Sequence, residues 1–202
     1  MFPLGTVLFP HIGLPLRIFE PRYRELTRRC LNDDRRFGIV LIVSGSEVGG
    51  GDTRFDVGTI AEIIAAEVAD DGQAQLVVVG RERFRVERWL DGELYPLAEV
   101  SYFEENNETM TASLVTAIDD ATKRTRRLLA TRSEFEIPGP PATVELDDDP
   151  SVRLWQLCAL LPVESHDDLA LLASPTSSSR VELLGRLLDQ VDENTNRLFP
   201  QA

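Results

Sequence analysis

The spacing of apolar residues changes period once along this chain, near residue 103, and that change sets the class of fold. Up to Phe103 the apolar residues come in short runs or alternate with polar ones, the period-two mark of strands. From Glu104 onward they recur at intervals of three and four, as on one face of a helix. Strands gathered in one half and helices in the other predict an α+β protein, with regions 1–103 and 104–202.

In the first region, Leu4 to Phe9, Leu14 to Phe19, Phe37 to Val43, Phe55 to Val68, Ala74 to Gly80, Arg83 to Leu90 and Pro96 to Phe103 read as strands. Gly45 to Asp52, Asp70-Asp71-Gly72 and Asp91-Gly92 supply the turns between them. Arg83-Phe84-Arg85-Val86-Glu87-Arg88-Trp89 alternates strictly, as a half-buried strand should. Short strands joined by tight turns favour a small barrel, because closure removes exposed edges. One helix interrupts them. Glu20-Pro21 offers a cap and an N1 proline, and Phe19, Tyr23, Leu26 and Cys30 fall on one face, with Arg24, Arg28 and Arg35 opposite.

In the second region, Leu114, Ile118, Ala121, Thr125 and Leu128 form one seam. Asp149-Pro150 opens a helix through Leu154, Leu157, Cys158 and Leu161 that Pro162 stops. Ser165 with Asp168 resembles a capping box, and Leu184, Leu187, Leu188 and Val191 mark a last helix. Such helices are expected to pack as a bundle. The Pro-rich stretch Ser133 to Asp148 reads as an exposed, mobile connection.

Chemistry is conspicuous by what is missing. The 202 residues contain no G-x-x-x-x-G-K-[ST] loop, no dinucleotide fingerprint and no G-x-S-x-G elbow. Gly49-Gly50-Gly51 is followed by Asp52, which repels phosphate, so it reads as a hairpin tip. Two histidines, His11 and His166, are too few for a common zinc site and read as a turn residue and a helix-start residue. Asp147-Asp148-Asp149 fits a helix N-terminus better than a metal site. Lys123, the only lysine, sits in a charged helical cluster and reads as salt-bridged. No enzyme, metal or cofactor is expected.

Charge and cysteines narrow the setting. A formal net charge of -13 works against binding nucleic acid, which needs clustered cations. No apolar run approaches the ~20 residues of a membrane span, and the N-terminus lacks a basic leader, so the expected setting is the cytoplasm. Cys30 and Cys158 both lie in apolar helical patterns and read as two buried thiols.

A resemblance adds to this reading. Phe2-Pro3-Leu4-Gly5-Thr6-Val7-Leu8-Phe9-Pro10, Leu14-Pro15-Leu16-Arg17-Ile18-Phe19-Glu20-Pro21-Arg22-Tyr23 and Arg36-Phe37-Gly38-Ile39-Val40-Leu41-Ile42 resemble the Lon protease N-terminal, substrate-binding domain, especially small bacterial members that stand alone. Val57-Gly58-Thr59 and the stretch from Gly80 through Arg83-Phe84-Arg85-Val86 continue the similarity. Leu160-Leu161-Pro162 and Arg180-Val181-Glu182-Leu183-Leu184 extend it into the helical region. The resemblance implies a PUA-like β-barrel of about six strands and one helix, followed by an α-helical bundle. It also implies recognition of unfolded or degron-bearing polypeptides. The ATPase and Ser–Lys peptidase motifs that accompany this domain in Lon do not occur in the sequence, so the implied role is non-enzymatic, as an adaptor working with a protease or chaperone. Pro10, Pro15, Ile18, Phe19, Glu20, Pro21 and Tyr23 are equally what a turn, a strand and a capped helix require.

Varied polypeptides require an apolar surface with a polar rim. The sequence candidates are the turn Phe9, His11, Ile12 and Leu14, the helix start Arg22 and Tyr23, and Arg36. The expected assembly is a monomer or weak homodimer. Two other readings stand beside this one. An anion or small-molecule sensor would use Arg81, Arg83 and Arg85, which share a strand face, with Arg88 out of phase. An RNA-binding module follows from analogy to PUA-like folds.

Overall fold

The longest strand organises the sheet. The computed structural model describes residues 1–44, 53–91, 94–103 and 108–198, and it divides into two compact units, Met1–Glu104 and Glu105–Ala202. In the first unit the strands are β1 (Phe2–Leu4), β2 (Gly13–Ile18), β3 (Arg36–Ser44), β4 (Thr53–Val68), β5 (Ala74–Leu90) and β6 (Leu97–Tyr102), with α1 (Pro21–Leu31) between β2 and β3. They form one mixed six-stranded sheet in the order β1-β3-β4-β5-β2, and β6 also pairs with β5. Only β1 and β3 run parallel; the other pairs are antiparallel.

Sequence periodicity splits β5 into two strands, yet it is one strand of 17 residues. The apparent break is a β-bulge: register runs Thr59 opposite Arg83 and then Ala61 opposite Gly80, so β5 carries one extra residue there. A second bulge, between Ile63 and Ala65, inserts Ile64 into β4. The Asp70-Asp71-Gly72 turn is as expected. Gly72 adopts φ 81°, and the Asp71 Oδ1 accepts from the Gln73 N–H at 3.0 Å. The glycine-rich tip 49–51 lies outside the described residues, as does Gly92.

Four expectations about the N-terminal stretch need correction. Of the expected strand Leu4 to Phe9 only Leu4 is in a strand, the last residue of β1. Beyond it the chain leaves the sheet to bury Leu8 and Phe9 and meets β5 through a bridge from Pro10 to Gly80. Phe19 does not join the buried face of α1: it precedes Pro21, the first residue of the helix, and is 48% exposed, whereas Tyr23, Leu26 and Cys30 are buried. Glu20 occupies the cap position without a side-chain cap; its carboxylate takes the Arg22 Nε at 3.1 Å instead. Arg35 lies past the helix, with φ 63° and its Nε on the Ile63 carbonyl at 3.0 Å.

Tyr23, Leu26 and Cys30 meet Phe2, Leu4, Ile18, Phe37, Ile63, Leu76 and Val78 in the main apolar cluster. Val40, Ile60, Phe84 and Val86 form a smaller cluster. Phe84 enters because Gly58 faces it: a Cβ there would stand 2.5 Å from the ring and 2.2 Å from the Ile39 carbonyl oxygen.

The second unit holds α2 (Ala112–Glu134), α3 (Pro150–Leu160), α4 (Ser165–Ala173) and α5 (Ser177–Leu198). The seam Leu114, Ile118, Ala121, Thr125 and Leu128 is buried throughout. Asp149 caps α3, accepting the Ser151 N–H at 2.8 Å, and Pro150 takes the first position. Ser165 is the first residue of α4 rather than its cap; Glu164 holds that place, so the capping box does not form. The connection from 135 to 148 is largely exposed but tied down: Arg126 donates to the Ala142 and Val144 carbonyls, the latter at 3.2 Å. Arg180 is buried, its guanidinium 3.5 Å from the centre of the Trp155 ring, and it donates to the Leu171 and Ser174 carbonyls.

Candidate functional site

The Phe9–Leu14 turn is built around a glycine. His11 adopts φ 65° and donates its backbone N–H to the Gly80 carbonyl at 2.8 Å, and the Gly80 N–H donates to the Ile12 carbonyl at 3.0 Å. The Ile12 N–H closes the turn on the Phe9 carbonyl at 3.2 Å. Any Cβ at Gly80 would sit 2.1 Å from that same oxygen, so only glycine lets the turn lie against β5. Phe9 is buried and serves the core, His11 is exposed, and Ile12 and Leu14 are half-buried.

Register carries this turn across the sheet to Arg36. Gly13 stands opposite Val79, Val79 opposite Glu62 and Glu62 opposite Arg36, so the four share one face of neighbouring strands. Arg36 ion-pairs with Glu62 at 3.4 Å and Glu82 at 3.5 Å, and Arg81 holds Glu62 at 2.8 Å. The Arg81 hydrogen bond keeps the Glu62 carboxyl below its ordinary range. Glu82 raises Arg36 above its own.

Next to this charged row the same face turns apolar. Pro15 pairs with Val77, and Val77 with Ala65. Val77 is 39% exposed and the bulged Ile64 52% exposed. One row further, Arg17, Gln75 and Glu67 restore polarity. The face is therefore an apolar stripe of Pro15, Val77, Val79, Ala65 and Ile64 between two polar rims of mixed sign. A concavity of about 1160 Å³ opens at its hairpin end, lined by residues 15–17, 65–71 and 73–77.

Sequence reasoning missed this stripe, although a signal was present. An antiparallel strand with one solvated face should alternate apolar and polar residues. Leu76-Val77-Val78-Val79 and Ile63-Ile64-Ala65-Ala66 do not: Leu76, Val78 and Ile63 point to the core, leaving Val77, Val79 and Ile64 on the other side or at the bulge.

Arg22 and Tyr23 belong elsewhere. Tyr23 is buried, its ring 4.2 Å from that of Phe2, and Arg22 stacks on Tyr23 at 4.4 Å while paired with Glu20. The arginines of β5 are each engaged by neighbours on the sheet unit. Arg83 is buried over the Phe103 ring at 4.4 Å, Arg85 is 5.4 Å from the same ring, and Arg88 pairs with Glu99 at 2.6 Å. Lys123 pairs with Asp120 at 2.9 Å, and Asp147 accepts the Asp149 N–H within the cap of α3. Among the described residues, no three His, Cys, Asp or Glu groups stand where they could hold a metal ion, and no helix is long and apolar enough to cross a membrane. Both cysteines are buried and outside any disulfide, the Cys30 Sγ donating to the Arg36 carbonyl at 3.2 Å; burial pushes the Cys158 thiol up to about 12 and raises Cys30.

A sheet unit followed by a helical unit is an architecture shared with solved Lon N-terminal domains. A Lon N-terminal domain protein from Xanthomonas campestris superposes with a TM-score of 0.64 at 27% identity, over 92% of this chain and 95% of that one. The N-terminal domain of Mycobacterium avium complex Lon protease shares the fold at a TM-score of 0.62 and 16% identity, over 93% and 96% of the two chains. The sequence model of the ATP-dependent protease La (LON) substrate-binding domain matches residues 1–190, and the chain belongs to that family. Lon protease from Cytophaga hutchinsonii is 28% identical over 120 residues, which are 59% of this chain but 15% of that protein. The match thus spans only a small part of that curated relative's length.

Proposed function

We propose that this protein binds unfolded or degron-bearing polypeptides on the outer face of β2, β5 and β4, as a non-enzymatic adaptor of cytoplasmic protein quality control. The observation that carries the reading is the stripe Pro15, Val77, Val79, Ala65 and Ile64. An apolar surface rimmed by polar groups marks an interaction site, and these positions face away from the core. Arg36 and Glu82 at one end, and Arg17 and Glu67 at the other, give rims of both signs. Such rims favour no one charge on the partner, which suits a binder of varied sequences. Gly13, next to the exposed His11, stands opposite Val79 at the end of the stripe, so the turn borders the site there, whereas Leu14 points to the core. Tyr23 packs in the core cluster and Arg22 pairs with Glu20, so neither belongs to the stripe.

Family membership supports binding of polypeptide substrates in general. The sheet unit is read as a PUA-like barrel and the helices as a bundle, and the assembly as a monomer or weak homodimer working beside a protease or chaperone.

The test is fluorescence anisotropy of labelled, reduced and carboxymethylated α-lactalbumin titrated with this protein without ATP, the native form serving as control. Ile64→Asp puts a charge into the stripe. It should weaken binding at least about tenfold, roughly 1.4 kcal/mol, with unfolding unchanged. Equal binding by Ile64→Asp and wild type would remove the stripe from the account.

A further inference from the structure

The ladder between β2 and β5 leaves one row of backbone groups facing outward. In an antiparallel pair, residues alternate between directing N–H and C=O at the partner strand and directing them away. The Gly80 N–H donates to the Ile12 carbonyl at 3.0 Å, which sets the phase. Leu14, Leu16 and Ile18 therefore bond to β5, opposite Val78, Leu76 and Ala74. Gly13, Pro15 and Arg17 point the other way. Among the described residues β2 pairs with β5 alone, and it ends one side of the sheet. The edge thus offers two N–H donors, Gly13 and Arg17, and three carbonyls over a span of about 13 Å.

We infer that the bound polypeptide is taken up as an added strand along this edge of β2. This deepens, and rests on, the polypeptide-binding reading above. Backbone groups recognise backbone, so affinity does not depend on the partner's side chains. Side chains choose only the kind of segment. On the outer face an added strand lies beside Pro15 and continues the apolar stripe. On the inner face it lies beside Leu14 and Leu16, which point to the core yet are only half-buried. The occupant is an extended segment apolar on both faces. Such segments are buried in native proteins and become available on unfolding.

Pro15 explains why a second copy is not the occupant. Antiparallel self-pairing centred on this strand sets Pro15 against Pro15, and neither supplies an N–H, so two carbonyls face each other without donors. An incoming segment with a full set of N–H groups has no such gap on its own side.

The test separates backbone from side chain at one position. Arg17→Ala removes the guanidinium and keeps the edge donor, whereas Arg17→Pro removes both; neither touches a bond to β5. With the labelled, carboxymethylated α-lactalbumin as probe, Arg17→Pro should bind at least about tenfold more weakly than Arg17→Ala, which shares its loss of the rim guanidinium. Amide exchange at Gly13 and Arg17 in the wild type should slow when the probe saturates it. Equal binding by the two variants, with exchange at both amides unchanged, would overturn strand addition while leaving polypeptide binding intact. Should Arg17→Pro not fold, the exchange measurement on wild type decides alone. Absence of any binding by wild type would overturn the underlying reading, and this inference with it.

Discussion

Replacing Gly80 by alanine tests the linkage between the N-terminal turn and the sheet. The added Cβ would lie 2.1 Å from the Phe9 carbonyl oxygen and 2.9 Å from its carbon. Carbon contacts settle near ~3.5–4 Å, so turn and strand must separate by more than about 1 Å. That movement breaks the bonds from the His11 N–H to Gly80 and from Gly80 to Ile12. Two hydrogen bonds at about 1 kcal/mol each, with about 1–3 kcal/mol of overpacking, give a loss of roughly 3–5 kcal/mol. The assay is urea unfolding followed by tryptophan fluorescence in a Trp155→Phe background, so that Trp89 reports the sheet unit alone. Gly13→Ala is the control: its Cβ meets only the Val78 carbonyl oxygen at 3.9 Å. The control should stay within about 0.5 kcal/mol, as surface changes do. A Gly80→Ala protein as stable as the control would show that the turn is not held against β5 by close approach, and the reasoning would fail.

Two further outcomes follow from buried groups in the helical unit. Burial, and then the neighbouring Asp167 carboxylate, push Asp168 up to about 7. The folded chain therefore holds this proton more tightly than the unfolded one, whose carboxyl titrates near ~3.9. Stability from this group is greatest at acid pH and falls as pH rises from about 4 to about 7. Because the side chain is partly solvated, the loss is about 1–2 kcal/mol rather than the full shift. Asp168→Asn should raise the urea midpoint relative to wild type at pH 8 but not at pH 4.5; an equal difference at both would refute the assignment. Cys158, fully buried with its thiol pushed up to about 12, should resist iodoacetamide at pH 8 until the unit unfolds. Rapid alkylation at that position in the native protein would contradict the packing described for α3.

Features set by local chemistry were legible in the sequence. The Asp149-Pro150 cap, the Asp70-Asp71-Gly72 turn and the α2 seam each follow from residues within a few positions of one another. Features set by pairing between distant segments were not. The bulge at Arg81 and Glu82 looks like a strand end because the extra residue breaks the alternation that marks a single strand. Phe19 has the right spacing for the α1 face, but Pro21 starts the helix two residues later and leaves the ring outside. Of the site residues named from sequence, Arg36 shares a sheet face with Gly13 of the turn because β4 and β5 lie between them, whereas Phe9 is buried and Leu14 points to the core. Tyr23 lies beside the turn in sequence, yet it packs on Phe2. Val77 and Ile64 escaped notice because an apolar run reads as core until the register says which residues point outward.

The proposed receptor surface for unfolded polypeptide is the stripe on β2, β5 and β4. Its most direct test is cross-linking from the stripe itself. A photoreactive amino acid placed at Val77 is illuminated with the carboxymethylated α-lactalbumin probe and, separately, with its native form. A control position, Glu134 at the end of α2, belongs to the other unit. Adducts are expected from position 77 with the unfolded probe, suppressed by unlabelled competitor, and none from position 134 or with the native form. Adducts of equal yield at both positions, or none at position 77 while anisotropy reports saturable binding, would place the site elsewhere and contradict the account.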